Sequence, residues 1–171
     1  MDLIASFHAH KVKTSFFLTV DGISPDGILY FLFDTGAVCS LVGLNSLFPE
    51  ENAQRQAFAK VVRDELSAAQ ISPRPESLRT ATNQSILTYP CVCHNVSIEG
   101  TDGRDFYFDF SFDNISLPLL GTSFSEDCSY SHTINGELNI TGIRADAGRA
   151  HYRGRKVLDF DKVWETFANS D

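Results

Sequence analysis

Residues 31–42 read FLFDTGAVCSLV, and this stretch places one carboxylate between two apolar segments. The run Ile28 to Phe33 predicts a buried strand that leads directly into Asp34, after which small residues precede a second apolar segment. Burying a carboxylate costs several kcal/mol unless hydrogen-bond donors or a charged partner compensate for it. Asp34 is therefore either stabilised locally or used in chemistry.

Two interpretations of this turn are open. In the first, Asp34 caps a turn and Gly36 supplies a backbone angle that other residues avoid. In the second, Asp34-Thr35-Gly36-Ala37, followed by Ser40, resembles the catalytic loop of retropepsin-like aspartic peptidases. A short motif carries weight only in the right context, so the rest of the chain decides between the two.

The composition is that of a soluble globular protein. The chain has 171 residues, of which 43% are hydrophobic, and we expect one domain over residues 1–171. The net charge is −8 and the basic residues are not clustered, so the electrostatic footprint of a nucleic-acid-binding protein is missing. No run is long enough to cross a bilayer. We predict neither a nucleic-acid nor a membrane partner.

The N-terminus and the cysteines favour a reducing compartment. Histidines and lysines interrupt the short apolar run of residues 1–13, so no signal peptide is predicted. The four cysteines show no disulfide-framework spacing, and four Asn-x-Ser/Thr matches are interpreted as chance. Cys91, Cys93 and His94 lack a second ligand pair at zinc spacing. We expect a cytoplasmic protein with no metal and no cofactor.

Strand patterns place Asp34 at the end of one hairpin and predict a second hairpin downstream. Phe16 to Asp21 and Ile28 to Phe33 form the first, joined by a Gly- and Pro-containing turn. Leu78 to Thr82 and Ile86 to Ile98 read as the arms of the second. In retropepsin-like enzymes a hairpin at this point is the flap that closes over substrate, whereas the alternative is an ordinary surface hairpin. The resemblance assigns substrate binding to Ala37, Val38, Thr82, Asn83 and Gln84.

A later landmark is the segment 117–124, LPLLGTSF. Retropepsin-like enzymes carry two apolar residues and a glycine where a strand passes beneath the catalytic loop. The resemblance therefore implies that Gly121 lies where two backbones approach closely. Between the first hairpin and this segment, residues from Pro49 to Ala69 predict a helix that Pro73 and Pro75 end.

The resemblance covers residues 16–124, and residues 125–171 add strands, a basic polar loop and a short helix capped by Asp161. It implies a mainly β fold, a closed β-barrel of the acid-protease type, with an inserted helix after the catalytic loop and a short C-terminal helix. Retroviral members carry an acidic residue after the motif and an arginine after the late glycine, and these two form one ion-pair arrangement. Val38 and Thr122 stand there instead, which indicates a cellular or bacterial-type relative.

Aspartic peptidases use two carboxylates that share one proton. The ionised member takes a proton from the attacking water, and the protonated member donates to the peptide carbonyl oxygen. Because the chain has no second Asp-Thr-Gly or Asp-Ser-Gly, the resemblance implies a homodimer with one Asp34 from each subunit. Thr35 would then hydrogen-bond across the two-fold axis, and Gly36 would let the carboxylates lie nearly coplanar.

Two functions follow from this reasoning. One is a homodimeric aspartic endopeptidase that hydrolyses a peptide or protein substrate. The other is a catalytically silent peptide- or protein-binding module of the same fold. Asp34 favours the enzyme, because a binding module has no physical need for an acid pair that is costly to bury. If the acid pair is not the catalyst, Cys39 is the nearest alternative nucleophile.

Overall fold

The computed structural model describes residues 2–74, 85–113, 115 and 117–170. The strands are β1 (Asp2–His8), β2 (His10–Val12), β3 (Ser15–Ser24), β4 (Gly27–Phe33), β5 (Leu41–Gly43), β6 (Tyr89–Ile98), β7 (Thr101–Ser111), β8 (Leu119–Leu120), β9 (Cys128–His132), β10 (Leu138–Ile143) and β11 (Leu158–Asp159). The helices are α1 (Leu44–Leu47), α2 (Ala53–Ala68), α3 (Thr122–Ser125) and α4 (Phe160–Asn169), and a 3-10 turn spans Arg149–Tyr152.

Six strands close into a barrel. They are hydrogen-bonded in the order β6-β7-β5-β8-β4-β3, and β3 pairs with β6 again to complete the circle. Strands β2 and β11 extend the barrel sheet at its two ends, while β1, β10 and β9 form a separate three-stranded sheet. The mainly β fold, the closed barrel, the inserted helix α2 and the short C-terminal helix α4 are confirmed.

The core is aromatic, and phenylalanines alternate with other residues along β7. Phe106, Phe108 and Phe110 are fully buried inside the barrel, and Phe112 is partly buried. The Phe108 ring meets the Phe160 ring of α4 edge-on, with centroids 5.3 Å apart. The barrel interior is thereby continuous with the helical layer.

Helices α2 and α4 pack on each other beside the barrel. The rings of Phe58 and Trp164 lie 4.4 Å apart between centroids. The start of α2 and the cap of α4 differ from those predicted. Asn52 caps α2 by accepting from the Arg55 backbone N–H, three residues after the predicted start at Pro49. Asp159, not Asp161, caps α4.

The first predicted hairpin is confirmed, whereas the second is described only in part. Strand β4 pairs with β3 in antiparallel register, with Val20 opposite Leu29. The predicted second arm begins three residues late, at Tyr89, and continues to Ile98. The predicted first arm, Leu78 to Thr82, lies outside the described residues. Within the described part of the chain, no helix has the length and apolar character needed to span a membrane.

Candidate active site

The loop that carries Asp34, residues 34–40, leaves the barrel between two parallel strands. Phe33 at the end of β4 pairs with Leu120 at the end of β8, and the Asp34 N–H donates to the Leu120 carbonyl over 2.9 Å. This Asp34 loop therefore begins at the edge of the sheet, with its first backbone donor held. The Asp34 side chain is half-buried there.

The Asp34 carboxylate caps its own turn with one oxygen. Its Oδ1 atom accepts from the Gly36 N–H over 2.9 Å, and the Ala37 N–H donates to the Asp34 carbonyl over 3.2 Å. Among the described residues, nothing donates to the second carboxylate oxygen, Oδ2. The turn-capping interpretation is thus true of the geometry, but it accounts for only half of the carboxylate.

Gly121 lies where the resemblance implies, against the back of the Asp34 loop. A Cβ atom added to Gly121 would clash with the Cys39 carbonyl oxygen and lie 2.8 Å from that of Ala37. Such distances are too short for any real Cβ contact, and the atoms concerned are backbone atoms that cannot rotate away. The close approach of two backbones is confirmed, and it explains why glycine stands at position 121.

The start of α3 holds the Asp34 loop from behind through four hydrogen bonds. The Thr122 N–H donates to the Ala37 carbonyl over 2.8 Å, and the Ser123 N–H donates to the Val38 carbonyl over 3.1 Å. The Thr122 hydroxyl also donates to the Val38 carbonyl, over 2.9 Å. The Ser40 N–H, in turn, donates to the Ser123 hydroxyl over 3.1 Å. Val38 and Thr122 are the two positions at which the sequence lacks the ion pair of retroviral enzymes. Here the neutral contact between the Thr122 hydroxyl and the Val38 carbonyl joins α3 to the loop.

A buried carboxylate, Asp109, stands behind the end of the loop. Asp109 is fully buried in β7, and its N–H donates to the Ser40 carbonyl over 2.8 Å. The Thr88 and Tyr152 hydroxyls each donate to one of its carboxylate oxygens over 2.6 Å. These three contacts fix Asp109 on both its backbone and its side chain.

Arg74 is the charged partner of Asp109. Its guanidinium is 5% exposed, and its Nη1 atom lies 3.7 Å from Asp109 Oδ1, which is an ion pair without a hydrogen bond. Nη2 lies 2.9 Å from His151 Nε2. Because a guanidinium can only donate, His151 Nε2 is the acceptor and its ring is neutral. Burial first, and then the Arg74 charge, lower the pKa of His151.

Sequence reasoning missed this network, which joins five residues: Arg74, Thr88, Asp109, His151 and Tyr152. They come from four separate parts of the chain and form no local motif. Burial, followed by the Asp109 charge, raises the pKa of Tyr152 well above its usual value, so its hydroxyl stays a donor. Both Asp109 oxygens are therefore occupied by donors, and Asp109 is no free second acid for Asp34.

Cys39 is buried and unsuited to nucleophilic chemistry. Burial, and next the Asp109 charge, raise the pKa of the Cys39 thiol far above its ordinary value. Since the thiolate is the nucleophile, a thiol kept neutral in this way is inert. Cys39 instead packs with Leu41 and Ile86 in a small apolar cluster, and its burial argues against a role as the alternative nucleophile.

The predicted site residues on the Asp34 loop face outward in the single chain. Thr35 and Gly36 are exposed, Ala37 is half-buried, and Val38 is 46% exposed although it is apolar. The other predicted substrate contacts, Thr82, Asn83 and Gln84, lie outside the described residues.

One group of possible metal ligands forms among the described residues. His94, Asp159 and Asp161 each have a ligand atom within 4.8 Å of the others. These side chains already have partners in the fold: Asp159 caps α4, the Asp161 carboxylate accepts from the His94 N–H, and His94 Nδ1 lies 2.9 Å from Asp105 Oδ1. Sequence spacing could not find the group, because His94 in β6 precedes Asp161 by 67 residues, although Asp159 and Asp161 are close together in sequence.

Comparison with known proteins finds similar solved structures but no matching family model or curated protein. Among solved structures, a retropepsin-like aspartic protease from Rickettsia conorii is similar at 15% sequence identity and a TM-score of 0.49. The likeness covers 82% of this chain and 95% of that one. We draw no functional conclusion from it.

Proposed function

We propose that this protein is a homodimeric aspartic endopeptidase in which two Asp34 carboxylates, one from each chain, activate the attacking water. The observation that carries the proposal is the state of Asp34. Its carboxylate is half-buried at the end of two parallel strands, with Oδ1 held by the Gly36 N–H and Oδ2 left without a donor in the described structure. An Oδ2 atom with no protein donor is accessible to a water molecule or to a second carboxylate, as the proposed reaction requires.

The support behind the Asp34 loop favours chemistry over a surface turn. The loop is held by Leu120 at its start, by α3 in its middle and by Asp109 at its end. Catalytic groups must be positioned to within a fraction of an ångström, and backbone hydrogen bonds from rigid elements supply that precision. An ordinary exposed turn needs no such reinforcement.

A second copy of the chain completes the site in this proposal. Asp109 is fully buried behind the loop, and its carboxylate is held by the Thr88 and Tyr152 hydroxyls, so it is not the second acid in this proposal. Thr35 and Gly36 are exposed, and a two-fold axis beside them would bring the two Asp34 side chains together. Thr35 would hydrogen-bond across the axis, while Ala37, Val38 and residues 82–84 would contact the peptide.

The proposed mechanism is a shared-proton one. Two carboxylates at this proximity cannot both ionise, so one of the pair holds a proton and the other does not. The ionised Asp34 takes a proton from water as the water oxygen attacks the peptide carbonyl carbon. The protonated Asp34 of the other chain donates its proton to the carbonyl oxygen, giving a neutral tetrahedral intermediate.

The experiment is peptide-library hydrolysis by the natural chain and by Asp34→Asn. The amide is nearly isosteric but can neither take nor give the required proton, so we expect a folded variant that does not cut. Asp102→Asn is the matched control, because Asp102 is an exposed Asp-Gly acid outside the site and its substitution makes the same charge change. A natural chain that binds peptides without cutting them contradicts the proposal and favours the binding module.

A further inference from the structure

A cleft lies on the surface beside the 3-10 turn. It has a volume of about 380 Å³ and is lined by six residues: Asp127, Arg144, Asp146, Arg149, Ala150 and Arg153. This volume falls within the range of sites for small molecules, which is roughly 300–1,000 Å³. We call it the arginine cleft, after the residue type that supplies half of its lining.

The arginine cleft lies in the most basic part of an acidic protein. Residues 144–156 hold five of the 14 lysines and arginines but only one of the 22 acidic residues, a local net charge of +4. The whole chain carries −8, so this segment is the exception to the otherwise scattered basic residues. The cleft lining itself has three arginines and two aspartates, a formal net charge of +1. A positive concavity on a negative molecule attracts small anions by focusing the field.

The two acids in the cleft both lie beside the same one of its three arginines. Arg144 Nε lies 3.5 Å from Asp146 Oδ1 and 3.9 Å from Asp127 Oδ1. Asp127 also accepts from the Gly148 N–H over 2.8 Å. In the described residues, no ion pair and no hydrogen bond involves the guanidinium of Arg149 or Arg153. Both arginines line the cleft and are exposed, so their donors are available to a ligand.

The backbone that carries these arginines is fixed in place. The Arg144 N–H donates to the Asp127 carbonyl over 3.0 Å, and the Arg149 N–H donates to the Asp146 carbonyl over 3.0 Å. Tyr152 ends the same 3-10 turn and donates to the buried Asp109. A preformed backbone reduces the entropy lost on binding, which is the usual condition for a small-ligand site.

We propose that the arginine cleft binds a small multivalent anion, with one carboxylate or phosphate group on Arg149 and another on Arg153. A guanidinium matches the geometry of either oxyanion through two parallel N–H donors, which a lysine cannot do. Neither arginine takes part in the proposed peptide hydrolysis, so the site stands or falls independently of that activity.

The test is calorimetric titration of the full chain with pyrophosphate and, separately, with citrate. We expect one anion per chain, and we expect Arg149→Gln and Arg153→Gln each to weaken binding about tenfold or more, because each removes charged hydrogen bonds. The tighter of the two probes identifies the phosphate or the carboxylate as the preferred group.

Arg155→Gln is the matched control, since it removes the same charge from the same basic segment but does not line the cleft. We expect its affinity to equal that of the natural chain. Equal weakening by Arg155→Gln would reveal diffuse attraction and overturn the proposal, as would the absence of binding by both probes at millimolar concentration. Circular dichroism of each variant establishes that the fold is intact, so a loss of affinity is not a loss of structure.

Discussion

The buried pair of Asp109 and Arg74 yields the sharpest stability prediction. Asp109→Asn keeps the shape of the side chain but removes its charge, which leaves the Arg74 guanidinium buried without a counter-ion. Removing one partner of a buried pair costs about 3–5 kcal/mol. We expect a loss of free energy of unfolding of that size.

Removing the other partner of the pair, by Arg74→Met, is expected to cost less free energy of unfolding. In Arg74→Met, Asp109 keeps its two hydroxyl donors, Thr88 and Tyr152, at 2.6 Å each. Arg74 Nη1 lies 3.7 Å from Asp109 Oδ1 and forms no hydrogen bond with it. Arg74→Met therefore removes no hydrogen bond from Asp109. The double variant should be less destabilised than the sum of the single ones, by roughly 0.5–3 kcal/mol.

The assay is urea unfolding of the two single variants and the double variant at one fixed protein concentration. Tyr152→Phe is a milder fourth variant that removes one donor to Asp109 and should cost about 1.5–3 kcal/mol. Asp64→Asn is the control, because it breaks only the exposed Asp64–Lys60 pair, and it should cost well under about 1 kcal/mol. If Asp109→Asn cost no more than this control, or if the cycle were additive, the inferred ion-pair coupling would be wrong.

Two further predictions concern the loop and the pH. Gly121→Ala places a Cβ against the carbonyls of Cys39 and Ala37, so we expect a loss of about 1–3 kcal/mol or more in urea unfolding, and an unchanged midpoint would contradict the close approach. Folding lowers the pKa of His151 below its unfolded value of 6.5. As the pH falls through about 6.5, the unfolded chain therefore binds more protons than the folded chain, and the free energy of unfolding decreases. His151→Gln should therefore flatten the fall in stability between about pH 7 and 5, measured beside the natural chain by thermal unfolding, and an equally steep fall in both would count against the assignment.

The parts of the site that depend on neighbouring residues along the chain could be predicted from the sequence. Asp34 follows an apolar strand, and Gly121 follows a pair of leucines, so both positions are determined by residues within a few places along the chain. The close packing of Gly121 on Cys39 confirms the expectation for that glycine. Local patterns of this kind survive folding because strand and turn chemistry act over short distances.

The buried network could not be predicted, because its parts are distant along the chain. The alternation in β7 puts Asp109 on the face opposite the core phenylalanines, where no local pattern indicates burial. Tyr152 and Arg74 cover that face in the folded protein, and neither position carries a local signal of doing so. The α4 cap differs for another reason: Asp159 and Asp161 are both good caps, and the Asp161 carboxylate accepts instead from the His94 N–H of β6.

The measurement that tests the central claim most directly is a mixing experiment between natural and Asp34→Asn chains. The natural and Asp34→Asn chains are mixed with an increasing share of the variant at constant total concentration, and are left to exchange subunits. The rate of hydrolysis of one peptide is then measured. If each site needs an Asp34 from both chains, activity falls as the square of the natural fraction, to about one quarter in an equal mixture. A linear fall to about one half, with exchange between the chains verified by mass, would show that a single chain is active and would contradict the shared site.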